Sequence, residues 1–455
     1  MKLPAFLDNK DFYKKLFTIA IPIMLQNLVN AFVNMIDTVM IGRLGTVEIA
    51  AVGLGNNIFF FYMIILFGIC SGGSIFTAQF WGKHDISGIR KNVGLLMVIS
   101  LCVGVLFTLA AALIPYQLIG IYSRDPEVIK AGGLYLKFLA PSFLPFAISQ
   151  VFVLSLRSIE KVQVPMITTA IALSVNVVLN YFLIFGIGPF PMMGVAGAAV
   201  ATVIARFVET GALVAVSYRR KYAIAGSLRE LTGFNSFYLR RFFSVALPVI
   251  INEIIWSAGI ITQNIIFART GTDAIAAFNI TGTVSQLTWT LFIGMGNGVS
   301  VLIGKKIGEG DHAAARDYAS RIIRFAPLVA VGAVCVLIPI SALIPFIFNV
   351  NEGVIAAASL MFIILAISYP FRAFNMAMVI GICRAGGDTV FCAIYDVAFM
   401  WAVALPAAAI ASFVFHAPVW LIYLLVLSED PLKVVLGFWR YRSGKWLHNV
   451  TEDMS

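Results

Sequence analysis

One early stretch of the chain carries Gln26, Asn27, Asn30, Asn34 and Asp37 among apolar neighbours. Positions 27, 30, 34 and 37 step by three and four, which predicts one polar stripe along a helix. Further on, Asn176 and Asn180 form an i,i+4 pair, and Thr202 follows the close-packing run Gly194-Val-Ala-Gly197-Ala-Ala. These amides and this hydroxyl can surround the Asp37 carboxylate as donors and acceptors. A carboxylate in such company can exchange a proton or hold a small cation, whereas Asn side chains alone more often bridge helices. Arg206 and Glu209, three apart, can pair locally. The second half of the chain offers Asn252, Glu253, Gln263, Arg372, Asn375 and Asp396. Arg372 needs an internal partner, and Glu253 or Asp396 can supply it, either as a structural ion pair or as a second coupling site. Gln26, Asn27, Asn30, Asn34 and Gln263 are candidate cavity-lining groups. All of this is chemistry of ion handling, with no catalytic residues and no cofactor implied. HExxH, GxSxG and the ATPase P-loop are absent from the sequence, and Gly298…Gly304-Lys305-Lys306 only approaches the last of these.

The elements that must position these groups are membrane helices. The chain has 455 residues, of which 60% are hydrophobic and only 12% charged, with mean hydropathy +0.94. Soluble domains carry roughly 25% charged residues, and a span needs about 20 apolar residues. Twelve apolar segments fit, at 15–41, 49–79, 92–115, 131–156, 163–187, 194–217, 241–268, 275–304, 320–348, 354–382, 389–414 and 416–439. The last is the weakest, because Glu429, Asp430 and Lys433 interrupt it. Cys70, Cys102, Cys335, Cys383 and Cys392 make no CxxC pair, so they read as small hydrophobes rather than disulfides or zinc ligands. No metal is expected beyond Na⁺ at Asp37.

The net charge of +10 reflects loop orientation rather than nucleic-acid binding. The N-terminal tail, alternate loops with their span ends (Arg157 and Arg384 included) and the C-terminal segment hold 25 of the 32 Lys and Arg. By the positive-inside rule both termini are cytoplasmic, in a multi-pass protein of the plasma (inner) membrane. Pro22 and Pro248 are 226 residues apart, and that offset aligns the chain with itself for about seventy residues. Arg43, Gly45, Gly68, Gly72, Asp85 and Arg90 face Arg269, Gly271, Gly294, Gly298, Asp311 and Arg316, and at offset 227 Arg157 faces Arg384. Six spans followed by six spans is a parallel repeat, a transporter architecture. It divides the chain into an N-lobe (1–218), a basic linker (219–241) and a C-lobe (242–455).

In combination these residues resemble the multidrug and toxic compound extrusion (MATE) family. The likeness rests on Pro22…Asp37-Thr38…Gly42…Gly45 and on Asn176-Val-Val-Leu-Asn180 with Gly194…Thr202. It rests equally on Pro248 with Glu253, Arg384-Ala-Gly-Gly-Asp388-Thr389, and the tail Trp439-Arg-Tyr-Arg-Ser-Gly-Lys-Trp446. The resemblance implies an all-α fold of twelve transmembrane helices in two pseudo-symmetric six-helix bundles forming a V. It also implies an antiporter that exports drugs or amphipathic, often cationic, metabolites by alternating access against H⁺ or Na⁺. The family's N-lobe cation site matches Asp37, Asn176, Asn180 and Thr202. Its NorM-type C-lobe Glu matches Glu253, but the tenth span offers Arg372 and Asn375 where that branch has Asp. The expected partners are a small-molecule substrate and the lipid bilayer, not nucleic acid, with the monomer as the working unit. A lipid-linked oligosaccharide flippase is the rival within the superfamily, and an intramembrane enzyme or scaffold is the rival outside it.

Overall fold

A computed structural model of the chain describes residues 8–341, 351–452 and 454. Lys2 and the end of the ninth apolar segment, 342–348, lie outside the described residues. Among those described, the structure is helical with one isolated antiparallel bridge, Gly387 to Leu447.

The first half runs α1 (Lys10–Gly42), α2 (Thr46–Gly82), α3 (Ile86–Leu113), the short α4 (Pro115–Gly120), then α5 (Pro126–Leu139) and α6 (Phe143–Ser158). It closes with α7 (Gln163–Phe185), α8 (Val195–Arg219) and a single turn, α9 (Leu228–Leu231). The second half has α10 (Ser236–Thr270), α11 (Thr272–Gly308), α12 (His312–Ser341) and α13 (Glu352–Met376), which continues into a π-helical stretch, Ala377–Arg384. There follow α14 (Thr389–Phe399), a second π-helical stretch (Met400–Ala404), α15 (Leu405–Phe413), α16 (Val419–Leu427) and α17 (Glu429–Ser443). Ten helices among the described residues are long and apolar enough to cross a membrane, or eleven with α11 counted as one bent span. The twelfth apolar segment is broken at Ser428 into α16 and α17, and the charges that interrupt it, Glu429, Asp430 and Lys433, are buried.

The internal repeat extends to the backbone. Gly45 and Gly271 precede α2 and α11 with nearly equal φ, 151° and 149°, a region that side chains rarely adopt. Asp85 and Asp311 cap α3 and α12 in the same way, accepting from the N–H of Gly88 (2.8 Å) and Ala314 (3.0 Å).

Packing divides the chain into two compact units. One is Met1–Met24 with Leu247–Asp453, and the other is Leu25–Ala246 with Met454–Ser455. The divisions fall two residues after Pro22 and two before Pro248, so each proline-containing helix contributes to both units. Within the unit of the second half, Phe12 packs on Tyr318 at 4.7 Å and Tyr13 on Phe325 at 4.9 Å. Within the unit of the first half, Phe76 stacks on Phe242, and the Tyr238 hydroxyl donates to the Gly88 carbonyl. Two sequence-distant stretches also meet: Arg440 grips Asp388 through Nε and Nη2 at 2.7 and 2.9 Å, the bidentate geometry that suits guanidinium and carboxylate.

Small residues let backbones approach in the first unit. A Cβ on Gly197 would fall 2.6 Å from the Leu183 carbonyl oxygen, where α8 crosses α7. Gly197→Val should therefore lower stability by about 1–3 kcal/mol. Gly211→Ala, on the same helix with open space around it, should leave the thermal midpoint in detergent unchanged. Equal midpoints for the two variants would show that the α7–α8 approach is not tight.

Candidate ion-coupling and polar sites

In the unit of the first half, α1, α7 and α8 bring the expected N-lobe groups together. Asn180 Nδ2 donates to Asp37 Oδ1 at 2.7 Å and to Asn176 Oδ1 at 3.3 Å, while Asn176 Nδ2 reaches Thr202 Oγ1 at 3.4 Å. Asn176 and Asn180 are buried and Asp37 is half-buried. Asn180 Oδ1 is buried with no hydrogen-bond donor in the protein. A carboxylate oxygen and an unpaired amide oxygen thus lie on neighbouring side chains, an arrangement open to a proton or a small cation.

A second chain of polar contacts runs through the same unit. Arg157 Nη2 donates to Gln26 Oε1 at 2.7 Å, Gln26 Nε2 to Thr169 Oγ1 at 2.8 Å, and Thr169 Oγ1 to Glu209 Oε1 at 2.7 Å. Arg206 Nη1 closes it on Glu209 Oε2 at 2.8 Å, the local pair that the i,i+3 spacing suggests. Gln26 is buried, and both ends of its amide are engaged. Of the remaining α1 stripe, Asn27 and Asn30 are half-buried and Asn34 is exposed. Asn30 Nδ2 turns back to the Gln26 carbonyl oxygen.

The second-half unit corrects the expected pairing. Glu253 does not neutralise Arg372: its Oε1 accepts from Arg384 Nη2 at 2.6 Å. Arg372 instead lies 3.7 Å from Asp430 and over the Trp289 ring. Asn375 donates to the Asp430 carbonyl and carboxylate oxygens and accepts from the Tyr395 hydroxyl at 2.7 Å. Asp396 accepts from Asn252 Nδ2 at 3.1 Å and lies 3.9 Å from Lys433 Nζ, which also sits 3.1 Å from Glu429. Gln263 is buried. Arg384, expected among the loop charges, is only 4% exposed. It ends the π-helical stretch, where i→i+5 turns shift the register of a helix face. Arg157 was counted with the loops in the same way, and it is half-buried with its guanidinium in the polar chain. The signal that could have placed both was their correspondence at offset 227, which loop charges do not require.

Removing one partner of a buried pair costs about 3–5 kcal/mol, because it strands the other charge. Glu253→Gln should lower thermal stability by an amount of that order, and adding Arg384→Met should restore part of it. Adding Arg372→Met instead should not. Additive losses in the Glu253/Arg384 double variant would reject the pairing.

The chain can now be set beside known proteins. The MatE family model matches residues 22–182 and again 248–410, two starts separated by the same 226 residues as the internal repeat. A "Probable multidrug resistance protein NorM" of Thermotoga maritima is 27% identical over 95% of this chain and 93% of its own length. The "Uncharacterized transporter YisQ" of Bacillus subtilis is 24% identical over 98% and 97%. Among solved structures, an outward-facing "multidrug resistance MATE family transporter of the MOP superfamily" superposes with TM-score 0.86 at 18% identity, covering 98% of this chain and 100% of that one. The Vibrio cholerae MATE transporter VcmN in the bent form gives 0.85 at 18%, covering 96% and 99%. At that identity the superposition speaks for the fold, the two-bundle helical fold expected from the repeat. With the family model matched in both halves, the chain belongs to the MATE family of transporters.

Proposed function

We propose that this protein is a cation-coupled antiporter that exports amphipathic, often cationic, small molecules by alternating access, with Asp37 as the coupling carboxylate. In this reading residues 1–218 and 242–455 act as the two lobes, joined by 219–241. The protein works as a monomer in the plasma (inner) membrane with both termini cytoplasmic. The observation that carries the reading is the Asp37–Asn180 contact with its unpaired neighbouring oxygen. A charged carboxylate inside a bilayer costs on the order of 2.5–3.5 kcal/mol on insertion scales. A group retained at that cost has a use, and binding and releasing H⁺ or Na⁺ is the use that fits its donors. The multidrug names of the NorM relatives support the substrate class.

The energetics are sufficient. One positive charge moving down roughly 100 mV releases about 2.3 kcal/mol, and one pH unit adds about 1.4 kcal/mol. Together they sustain a gradient of a neutral substrate of roughly 500-fold. If a monovalent cation leaves in exchange for one proton, no net charge moves and about tenfold per pH unit remains.

The test is uptake of a cationic dye by liposomes containing the purified protein, driven in turn by a pH gradient and by a sodium gradient. One of these should drive transport and Asp37→Asn should abolish it, because an amide neither titrates nor carries charge. Asn180→Ala should slow transport at least tenfold with the fold retained. Dye movement that needs ATP, or an Asp37→Asn variant working at the normal rate, would overturn the proposal.

A further inference from the structure

The loops that follow Arg157 and Arg384 are one backbone turn built twice. At offset 227 Ile159, Glu160 and Lys161 correspond to Gly386, Gly387 and Asp388. The first three donate their N–H groups to the carbonyls of Ser155, Arg157 and Leu156 at 3.2, 3.0 and 2.9 Å. Their counterparts donate to Ile382, Arg384 and Cys383 at 2.8, 2.9 and 3.0 Å. Glu160 and Gly387 share a left-handed φ, 63° and 74°, the conformation that closes such helix ends. The backbones agree, and the side chains do not.

In the first unit the loop fills its own space, with Ile159 buried. In the second, two glycines leave a socket, and the segment after α17 enters it. Gly444 turns the chain out of α17 with φ 68°. Trp446 is 0% exposed, and a Cβ on Gly386 would overlap its carbonyl oxygen and fall 2.9 Å from its ring. A Cβ on Gly387 would overlap the Val450 side chain. His448 N–H donates to the Gly386 carbonyl at 2.8 Å, and Gly387 forms the isolated bridge with Leu447. Arg440 fixes the rim through Asp388, its guanidinium 4.5 Å over the Phe391 ring. A single bridge is too short to hold a strand pair in water. Docking therefore rests on burial of one indole, opposed by the entropy of ordering a non-helical tail.

We propose that residues 444–450 are a releasable strap. Docked, Trp446 plugs the glycine socket and keeps water from Arg384 and its partner Glu253. Released, it opens that end of the second-unit polar network. Arg384 is the group the plug protects: it lies two residues before Gly386, is buried, and holds Glu253 at 2.6 Å. Cys383, also buried and within electrostatic reach of Asp388 and Arg440, reports on the same place. The first unit carries Ile159 where the second has its socket and needs no plug, so release acts on one half alone. Docking and release can be followed without any transport.

The experiment pulses the full-length protein in lipid nanodiscs with a water-soluble maleimide and maps the labelled cysteines by peptide mass. Cys383 should react slowly in the unaltered chain and roughly tenfold faster or more in Trp446→Ala, with Trp446→Phe close to the unaltered rate. Cys70, buried in the other unit, should stay unreactive in all three. An excess of a peptide of residues 444–455 should restore the protection of Cys383 in Trp446→Ala, which a tryptophan needed only for folding would not allow. Gly386→Ile gives the loop the residue of its first-half counterpart. It should fill the socket and free the tail, so that trypsin cuts after the exposed Lys445 roughly tenfold faster or more while Cys383 stays protected. Unchanged labelling of Cys383 in Trp446→Ala, labelling that the peptide does not reverse, or unchanged cleavage in Gly386→Ile would overturn the proposal. So would labelling of Cys70 together with Cys383, which would make Trp446 a folding residue.

Discussion

Compensation of charge inside apolar helices is the constraint on which this structure turns. A charge taken out of water is tolerated only when a partner and further hydrogen bonds replace what water supplied. Among the described helices the buried Arg384 and Lys433 end on Glu253 and Glu429, and the half-buried Arg157 and Arg206 end on Gln26 and Glu209. Each of those acceptors lies on the first helix of its repeat or is linked to it by hydrogen bonds and ion pairs. Polar satisfaction and helix packing are therefore one problem, with Gln26 and Asn252 as the joints where the first helix of each repeat is tied to the fifth.

Gln26 and Asn252 follow Pro22 and Pro248 by one helical turn, just past the places where α1 and α10 change from one compact unit to the other. A proline inside a helix removes one backbone hydrogen bond and weakens the helix locally. Directly after these prolines, Gln26 and Asn252 hydrogen-bond to the fifth helix of their own repeat.

Much of this was legible in the sequence wherever the evidence was local. The polar stripe of α1 pointed to Asp37, the i,i+4 spacing to Asn176 and Asn180, and the i,i+3 spacing to Arg206 with Glu209. Long-range partners were not legible in the same way. Arg157 and Arg384 sit near the ends of apolar segments, where hydropathy cannot distinguish a snorkelling loop charge from one turned inward. The partner of Glu253 was sought within the seventh to eleventh spans by charge alone, and the π-helical register that delivers Arg384 has no simple sequence signal. Glu429, Asp430 and Lys433 read as flaws in a span: the i,i+4 spacing of Glu429 and Lys433 was a local signal, but Arg372 beside Asp430 and Asp396 beside Lys433 come together only in the folded unit.

The repeat supplies geometry twice, and substitutions within it supply different electrostatics. In the first unit the linked groups Arg157, Arg206 and Glu209, with Asp37 within electrostatic reach of Arg206, sum to zero when Asp37 is ionised. In the second unit Arg384 and Lys433 against Glu253, Asp396 and Glu429 sum to zero only when one carboxyl is protonated. Two halves with the same helix order thus carry different charge sums, with Glu253, Asp396 and Glu429 standing where the first half has Asn27, Thr169 and Thr202, and Gln263 standing where it has Asp37.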